Sequence, residues 1–284
     1  MEDSKPSTYS QGHSRSVTAN HASRTAEKEG GFVLPHLKPA YKILDIGCGP
    51  GSISTGFARY VPEGSVMGVD LTGEVLEQAR QHLSKQLSPP SNITFEYGNV
   101  LDGLKYANST FDVVFCNQVL THIPDPVKAM QEMRRVLAPG GFIACREADM
   151  PYRWYPYLPG LQLLDKYMYG MVFGGTDLSH PANPPHQPEY RGGELIHVWA
   201  RKAGFDPKKM LKGVGTEVRA SEQERAFFSG VHRGRIQQGG MRERFMTLGA
   251  SEEDINLMIK DLDAWERDID GWFAILHGET MCWA

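Results

Sequence analysis

Hydrophobic positions along this chain follow two regimes, and the change falls near residue 150. From 41 to 147, short apolar blocks alternate with stretches in which apolar residues return every third or fourth position. The blocks at 41–46, 65–70 (SVMGVD), 92–99 (NITFEYGN), 111–117 (FDVVFCN) and 140–147 (GGFIACRE) predict five buried strands. Between them, 52–60 reads as a helix, and 74–86 places Val75, Leu76, Ala79 and Leu83 on one helical face. Asp125 and Pro126 form a helix start, with Asp as N-cap and Pro at the first helical position, followed by Met130, Met133 and Leu137 on one face. Strand and helix in regular alternation force right-handed crossovers, so the expected fold class is α/β, a doubly wound parallel sheet covered on both faces.

Beyond Asp149 the alternation stops. Residues 151–192 are rich in aromatics, Pro and Gly, which predicts a lid insertion and not a second core. A helix at 193–202 and a strand at 210–219 resume the core, and two helices follow, the second marked by Ile255, Met258, Ile259, Leu262 and Trp265. The segment WFAILHGETMCWA, from 272 on, is expected to supply a final edge strand. At the other end, 9–37 reads as one or two cap helices closed by Pro35 and Pro39. The expected organisation is a cap (1–39), a ligand-binding core (40–150), a lid (151–192) and the remainder of the core with a helical insertion (193–284).

Composition narrows the partners. Thirty basic residues against 34 acidic ones, with no basic run, do not favour nucleic acid. No stretch reaches the ~18 apolar residues of a membrane span, and the N-terminus has no signal-peptide pattern, so a cytoplasmic protein, monomer or homodimer, is expected. Cys48, Cys116, Cys145 and Cys282 are too far apart for a zinc site or a disulfide framework and read as buried thiols. His180, His186 and His197 lack ligand spacing, so no metal is assigned.

The chemistry is carried by ILDIGCGPGSIS at 43–54, where a strand ends, a glycine turn follows and a helix begins. Unpaired N–H groups and a bare backbone suit a ligand there. The dinucleotide fingerprint G-x-G-x-x-G requires a third glycine where this chain has Ser52. What stands instead is D-I-G-C-G-P-G, Asp45 to Gly51, with Asp70 ending the next strand as a carboxylate able to accept from ribose hydroxyls. Then come YGNV at 97–100, FDVVFCNQVLTHIPD from 111 and VLAPGGFIACRE from 136.

These four landmarks, in this order, resemble those of the class I S-adenosylmethionine-dependent methyltransferases, whose Rossmann-like sheet the chain is then expected to share. Within that superfamily the resemblance is to the ubiquinone/menaquinone-biosynthesis type and its fungal branch acting on small metabolites, gliotoxin bis-thiomethyltransferases among them. That branch carries a similar H-x-x-R-T-A cap, here His21 to Ala26. The resemblance implies S-adenosylmethionine as cofactor, a small-molecule acceptor, and cofactor contacts from Tyr9, Arg24, Asp45, Gly47, Cys48, Gly49, Gly51, Asp70, Leu71, Asn99, Val100, Asn117 and Gln118. Asn99 departs from the family, which has Asp in G-D-A; its amide oxygen still accepts a hydrogen bond from the adenine amino group. His122 is the candidate base, or else a histidine that positions its loop. His13, Arg146, Asp149, Trp154 and Tyr155 are the candidate acceptor contacts. Two of these readings have structural alternatives: an ion pair closing the strand end at Arg146, and simple packing for the aromatics. NPPH at 183–186 lies past the fifth strand and so is not the N-P-P-Y signature of amino-group methyltransferases.

Overall fold

The computed structural model describes residues 24–172, 192–238 and 240–284. They fall into two compact units, one holding residues to 147 with 193–213 and 278–284, the other 148–192 and 214–277. Among the described residues no helix is long and apolar enough to cross a membrane.

The described strands form a sheet in the order β3-β2-β1-β4-β5-β7-β6, with β1 at Lys42–Ile46, β2 at Ser65–Asp70, β3 at Ile93–Tyr97, β4 at Phe111–Asn117, β5 at Leu137–Tyr155, β6 at Met210–Arg219 and β7 at Trp272–Trp283; β1 to β4 lie wholly in the first unit. The pairs β3-β2, β2-β1, β1-β4 and β4-β5 are parallel. Parity along the strands explains why both faces are covered. Leu44, Ile46, Val114, Cys116, Ile143 and Cys145 face one apolar cluster with Met130 and Met133 of the helix Pro126–Val136. Ile43, Val113, Phe115, Phe142 and Ala144 face the other with Phe57. A strand buried on both faces has no polar alternation to show, and hence reads as a continuous apolar block.

In chain order the α-helices are α1 (Ala26–Glu29), α2 (Ser52–Ala58), α3 (Gly73–Ser84), α4 (Pro126–Val136), α5 (Pro159–Val172), α6 (Ile196–Lys202), α7 (Glu222–Gln238), α8 (Met241–Thr247) and α9 (Glu252–Arg267). The start of α4 is as expected: Asp125 Oδ1 accepts the Lys128 N–H at 2.8 Å, with Pro126 in the first turn. All four cysteines are free and buried.

Two expectations need correction. The final segment is not an edge strand, because β7 lies between β5 and β6. Its largely buried pattern fits that interior place, whereas β6 is exposed at most positions, as an edge allows. Nor is the stretch after Asp149 only an insertion. The described part of it, β5 beyond Glu147 and α5, belongs to a second unit with a core of its own. Trp154 is 7 % exposed and packs against Trp265 and Phe273, with ring centroids 5.1 and 4.7 Å away, while its Nε1–H donates to Asp165 Oδ1 at 2.8 Å. Aromatic residues separated by more than a hundred positions assemble this core, so local composition at 151–192 does not reveal it.

Trp154→Ala removes both the ring packing and the partner of a buried carboxylate. The expected cost is about 3–5 kcal/mol in urea unfolding monitored by circular dichroism. A change below about 1 kcal/mol is incompatible with Trp154 as a core residue.

Candidate functional site

The strand register carries the ends of β1 to β5 to one edge of the first unit. Ile46 stands beside Val69 and Cys116, Asp70 beside Tyr97, and Asn117 beside Arg146. Between β1 and α2 the chain turns through Gly47, Gly49 and Gly51, whose φ values are 68°, 54° and 77°. Side chains rarely tolerate that region. At two of the three glycines crowding adds a second reason: a Cβ on Gly47 lies 2.4 Å from a Val119 methyl, and one on Gly51 lies 2.6 Å from the Phe95 ring. A Cβ on Gly49 meets nothing within 4 Å. The middle of the turn is therefore the part open to a ligand.

Hydrogen bonds hold this turn to the end of β2. The N–H groups of Gly47 and Cys48 donate to Val69 O at 2.8 and 3.0 Å. Asp70 Oδ2 accepts from Gly49 N–H at 3.0 Å and its Oδ1 from Thr72 N–H at 3.2 Å. A carboxylate with both oxygens oriented by backbone donors keeps lone pairs for further partners. Leu71, which follows it, is exposed.

Asp45 occupies a different position from the one its place in the motif suggests. It is buried and turned to α2, where Ser54 Oγ donates to its Oδ2 at 2.5 Å. Burial pushes its carboxyl up to about 7, the charge of Asp70 adds to this, and the Ser54 bond opposes it. Asn99 is engaged locally: its Oδ1 accepts from Leu101 N–H at 3.0 Å and its Nδ2 donates to Asp102 Oδ2 at 2.6 Å. Val100 beside it is buried.

The end of β4 is the informative place. Asn117 is 6 % exposed, and among the described residues neither its Oδ1 nor its Nδ2 has a hydrogen-bond partner. Buried amides are normally paired, so these two atoms fit a ligand that brings a donor and an acceptor. Gln118 has φ 60° and donates its N–H to Arg146 O at 2.9 Å. His122 closes the short turn Leu120–His122, half-buried, with its N–H on Val119 O at 3.0 Å.

Of the acceptor candidates, Arg146 shows the ion-pair arrangement. It is 2 % exposed, with Nη1 2.5 Å from Glu29 Oε2 and Nε 3.2 Å from Glu279 Oε1. A guanidinium so enclosed and twice paired is committed to joining α1, β5 and β7, and this corrects its assignment as a substrate contact. Asp149, Trp154 and Tyr155 lie in the second unit. There Asp149 Oδ1 accepts from Met150 N–H at 2.9 Å, Trp154 is part of the core, not a pocket wall, and Tyr155 is 59 % exposed. Arg24 is half-buried, and Tyr9, His13 and NPPH lie outside the described residues. Sequence reasoning missed the specific partners of Arg146 and the anchoring of the 119–121 backbone by Glu147, since their partners are remote and no spacing rule links them.

Residues 37–168 match a family model described as a methyltransferase domain. A probable methyltransferase of Aspergillus luteorubrus, ltbC, is 33% identical over 97% of this chain and 96% of its own length. An uncharacterized methyltransferase of Schizosaccharomyces pombe is 31% identical over 96% of this chain and 95% of its own. Among solved structures, the YcgJ protein of Bacillus subtilis aligns with a TM-score of 0.55 at 16% identity, over 89% of this chain and 96% of that one. The [4+2]-cyclase SpnF aligns with a TM-score of 0.51 at 19% identity, over 92% and 79%. Both share the fold.

A carboxyl raised from its ordinary value near 4 to about 7 stabilises the folded state when neutral. That contribution is complete below pH about 4 and is lost as pH rises through about 7. Asp45→Asn keeps an acceptor for Ser54 without the charge. In the ligand-free protein it is expected to be near neutral at pH 4 and to raise the melting temperature relative to the parent at pH 8. Thermal unfolding at the two pH values checks this; an equal effect at both contradicts the buried-charge assignment.

Proposed function

Since the chain belongs to the S-adenosylmethionine-dependent methyltransferases, we propose that it methylates a small metabolite and that the accepting atom is a thiol sulfur. The observation that carries the cofactor site is the buried amide of Asn117, unmatched among the described residues, at the strand edge that also holds the uncrowded Gly49 and the Asp70 carboxylate. These groups fit a nucleoside bearing an amino-acid chain. Asp70 receives the ribose hydroxyls, the backbone of Gly47, Cys48, Gly49 and Gly51 takes the amino-acid part, and Leu71, Asn99 and Val100 flank the adenine. Asn117 supplies a donor and an acceptor to polar atoms that enter, and Gln118 extends the same wall. Asp45 acts from beneath, bracing β1 against α2.

When bound, the cofactor supplies an electrophilic methyl carbon on a sulfonium, so transfer is an in-line displacement in which the acceptor's bond forms as the sulfonium bond breaks. The protein's task is then alignment, which contributes roughly 7–11 kcal/mol in favourable cases. A thiol with pKa near 8.5 is already part thiolate at neutral pH and needs little help with its proton. A phenol near 10 requires a base, and His122 is the candidate. The thiol reading is supported by the resemblance of the H-x-x-R-T-A segment to the cap of a fungal branch that includes the gliotoxin bis-thiomethyltransferases.

Asp70→Ala removes charge-assisted bonds worth about 1.5–3 kcal/mol each, and calorimetry with S-adenosylhomocysteine is expected to show at least a tenfold loss of affinity, by about 1.4 kcal/mol per decade. The acceptor is tested by offering methyl-labelled S-adenosylmethionine with a reduced dithiol metabolite, an amine, a phenol and a quinol precursor, and identifying products by mass. Label is expected on the dithiol, with His122→Gln costing less than about tenfold in kcat. Preferential label on the phenol, with a loss of about 10²–10⁴-fold in that variant, would replace sulfur by oxygen as the accepting atom.

A further inference from the structure

Glu147, at the end of the core portion of β5, is 0 % exposed. Its Oε1 accepts the N–H groups of Val119 and Leu120 at 2.8 Å each, and its Oε2 accepts Thr121 Oγ–H at 2.9 Å and Thr121 N–H at 3.4 Å. Burial pushes this carboxyl up, while the donors of Val119, Leu120 and Thr121 pull it down. Three successive backbone N–H groups converging on one anion make a concavity of the kind that binds phosphate or carboxylate. Here it is filled by the protein's own side chain.

Among the described residues, every hydrogen bond Glu147 accepts through its side chain comes from one three-residue stretch. A carboxylate that served only to close the strand end needs a cation, as Arg146 one residue earlier has its two acids. An apolar side chain of similar size fills such a space at lower desolvation cost. What the carboxylate gains is a fixed backbone between Asn117 and His122. That backbone sets Val119 against the turn at Gly47, follows the left-handed residue Gln118, and leads into the turn bearing His122.

We propose that Glu147 is the positioning residue of the reaction, its carboxylate holding residues 117–122 in the shape that presents Asn117 to the cofactor and His122 to the acceptor side. It touches neither ligand. The part of this inference that concerns turnover rests on the methyl-transfer reading; the part that concerns the loop does not.

The test is hydrogen–deuterium exchange by mass spectrometry on the full chain, comparing peptides covering 117–123, 43–54 and 255–265 in the parent, Glu147→Gln and Thr121→Val. The amide variant keeps the volume but offers an N–H where Thr121 needs an acceptor. In Glu147→Gln, exchange at 117–123 is expected to rise about tenfold or more, with the other two peptides within about twofold. Thr121→Val, which removes one of the donors and is the milder change, gives a smaller rise in the same peptide. Turnover splits accordingly: kcat falls at least tenfold in Glu147→Gln, while KM for the acceptor moves less than kcat. Unchanged exchange at 117–123, or equal acceleration in all three peptides as in a general loss of stability, overturns the positioning role. If the parent transfers label to no acceptor, the methyl-transfer reading fails, and the exchange comparison still decides what Glu147 does.

Discussion

The chain can pass from β1 into α2 only because no side chain stands at Gly47 and Gly51. The space each would fill is held by Val119 on one side and by Phe95 with Ala79 on the other. Those neighbours come from three further elements: the loop after β4, strand β3 and helix α3. The turn is thus a keystone in which four parts of the first unit meet at van der Waals distance, and each limits where the others can be. Gly49 is exempt from that crowding.

The charges buried around this keystone are handled in three ways. Arg146 is balanced by carboxylates on both sides. Glu147 is surrounded by backbone dipoles. Asp45 is moved towards its neutral form by burial first, with a neighbouring acid adding to this and one hydroxyl opposing it. Removing charge from water is expensive in each case. Each solution ties two segments together: α1 and β7 to β5 through Arg146, the loop after β4 to β5 through Glu147, and β1 to α2 through Asp45. Asn117, uncharged, has both polar side-chain atoms without a match among the described residues.

Much of the first unit was legible because its rules are local. Strands β2 and β4 span the apolar blocks at 65–70 and 111–117, α4 begins at its Asp-Pro cap, and the glycines of the turn adopt the backbone that only glycine takes easily. Asp70 could be placed from its distance along the chain because a βαβ unit fixes how far the next strand end lies. The illegible parts depend on pairings without a local signature. Arg146 finds Glu29 and Glu279 from opposite ends of the sequence, and nothing near Arg146 announces either. Trp154 looked like a lid residue because its stretch is rich in Pro and Gly, whereas its ring partners Trp265 and Phe273 come from α9 and β7. Edge and interior strands likewise differ in neighbours, not in their own composition, so β7, expected at an edge, lies between β5 and β6.

The place of β7 has a consequence for how the chain assembles. Strand β6 precedes it in sequence but lies outside it in the sheet, so β6 has no partner strand until residues 272–283 have been laid beside β5. In the interval, an apolar-bearing strand with Leu211, Val214 and Val218 on exposed positions waits with its hydrogen-bonding groups unmet. Closure depends on contacts across the whole segment 220–271, the kind of long-range pairing that slows folding and lengthens the life of sticky intermediates. The sheet order that completes the catalytic unit thereby makes its outermost strand the one most exposed to wrong partners while the chain is still unfinished.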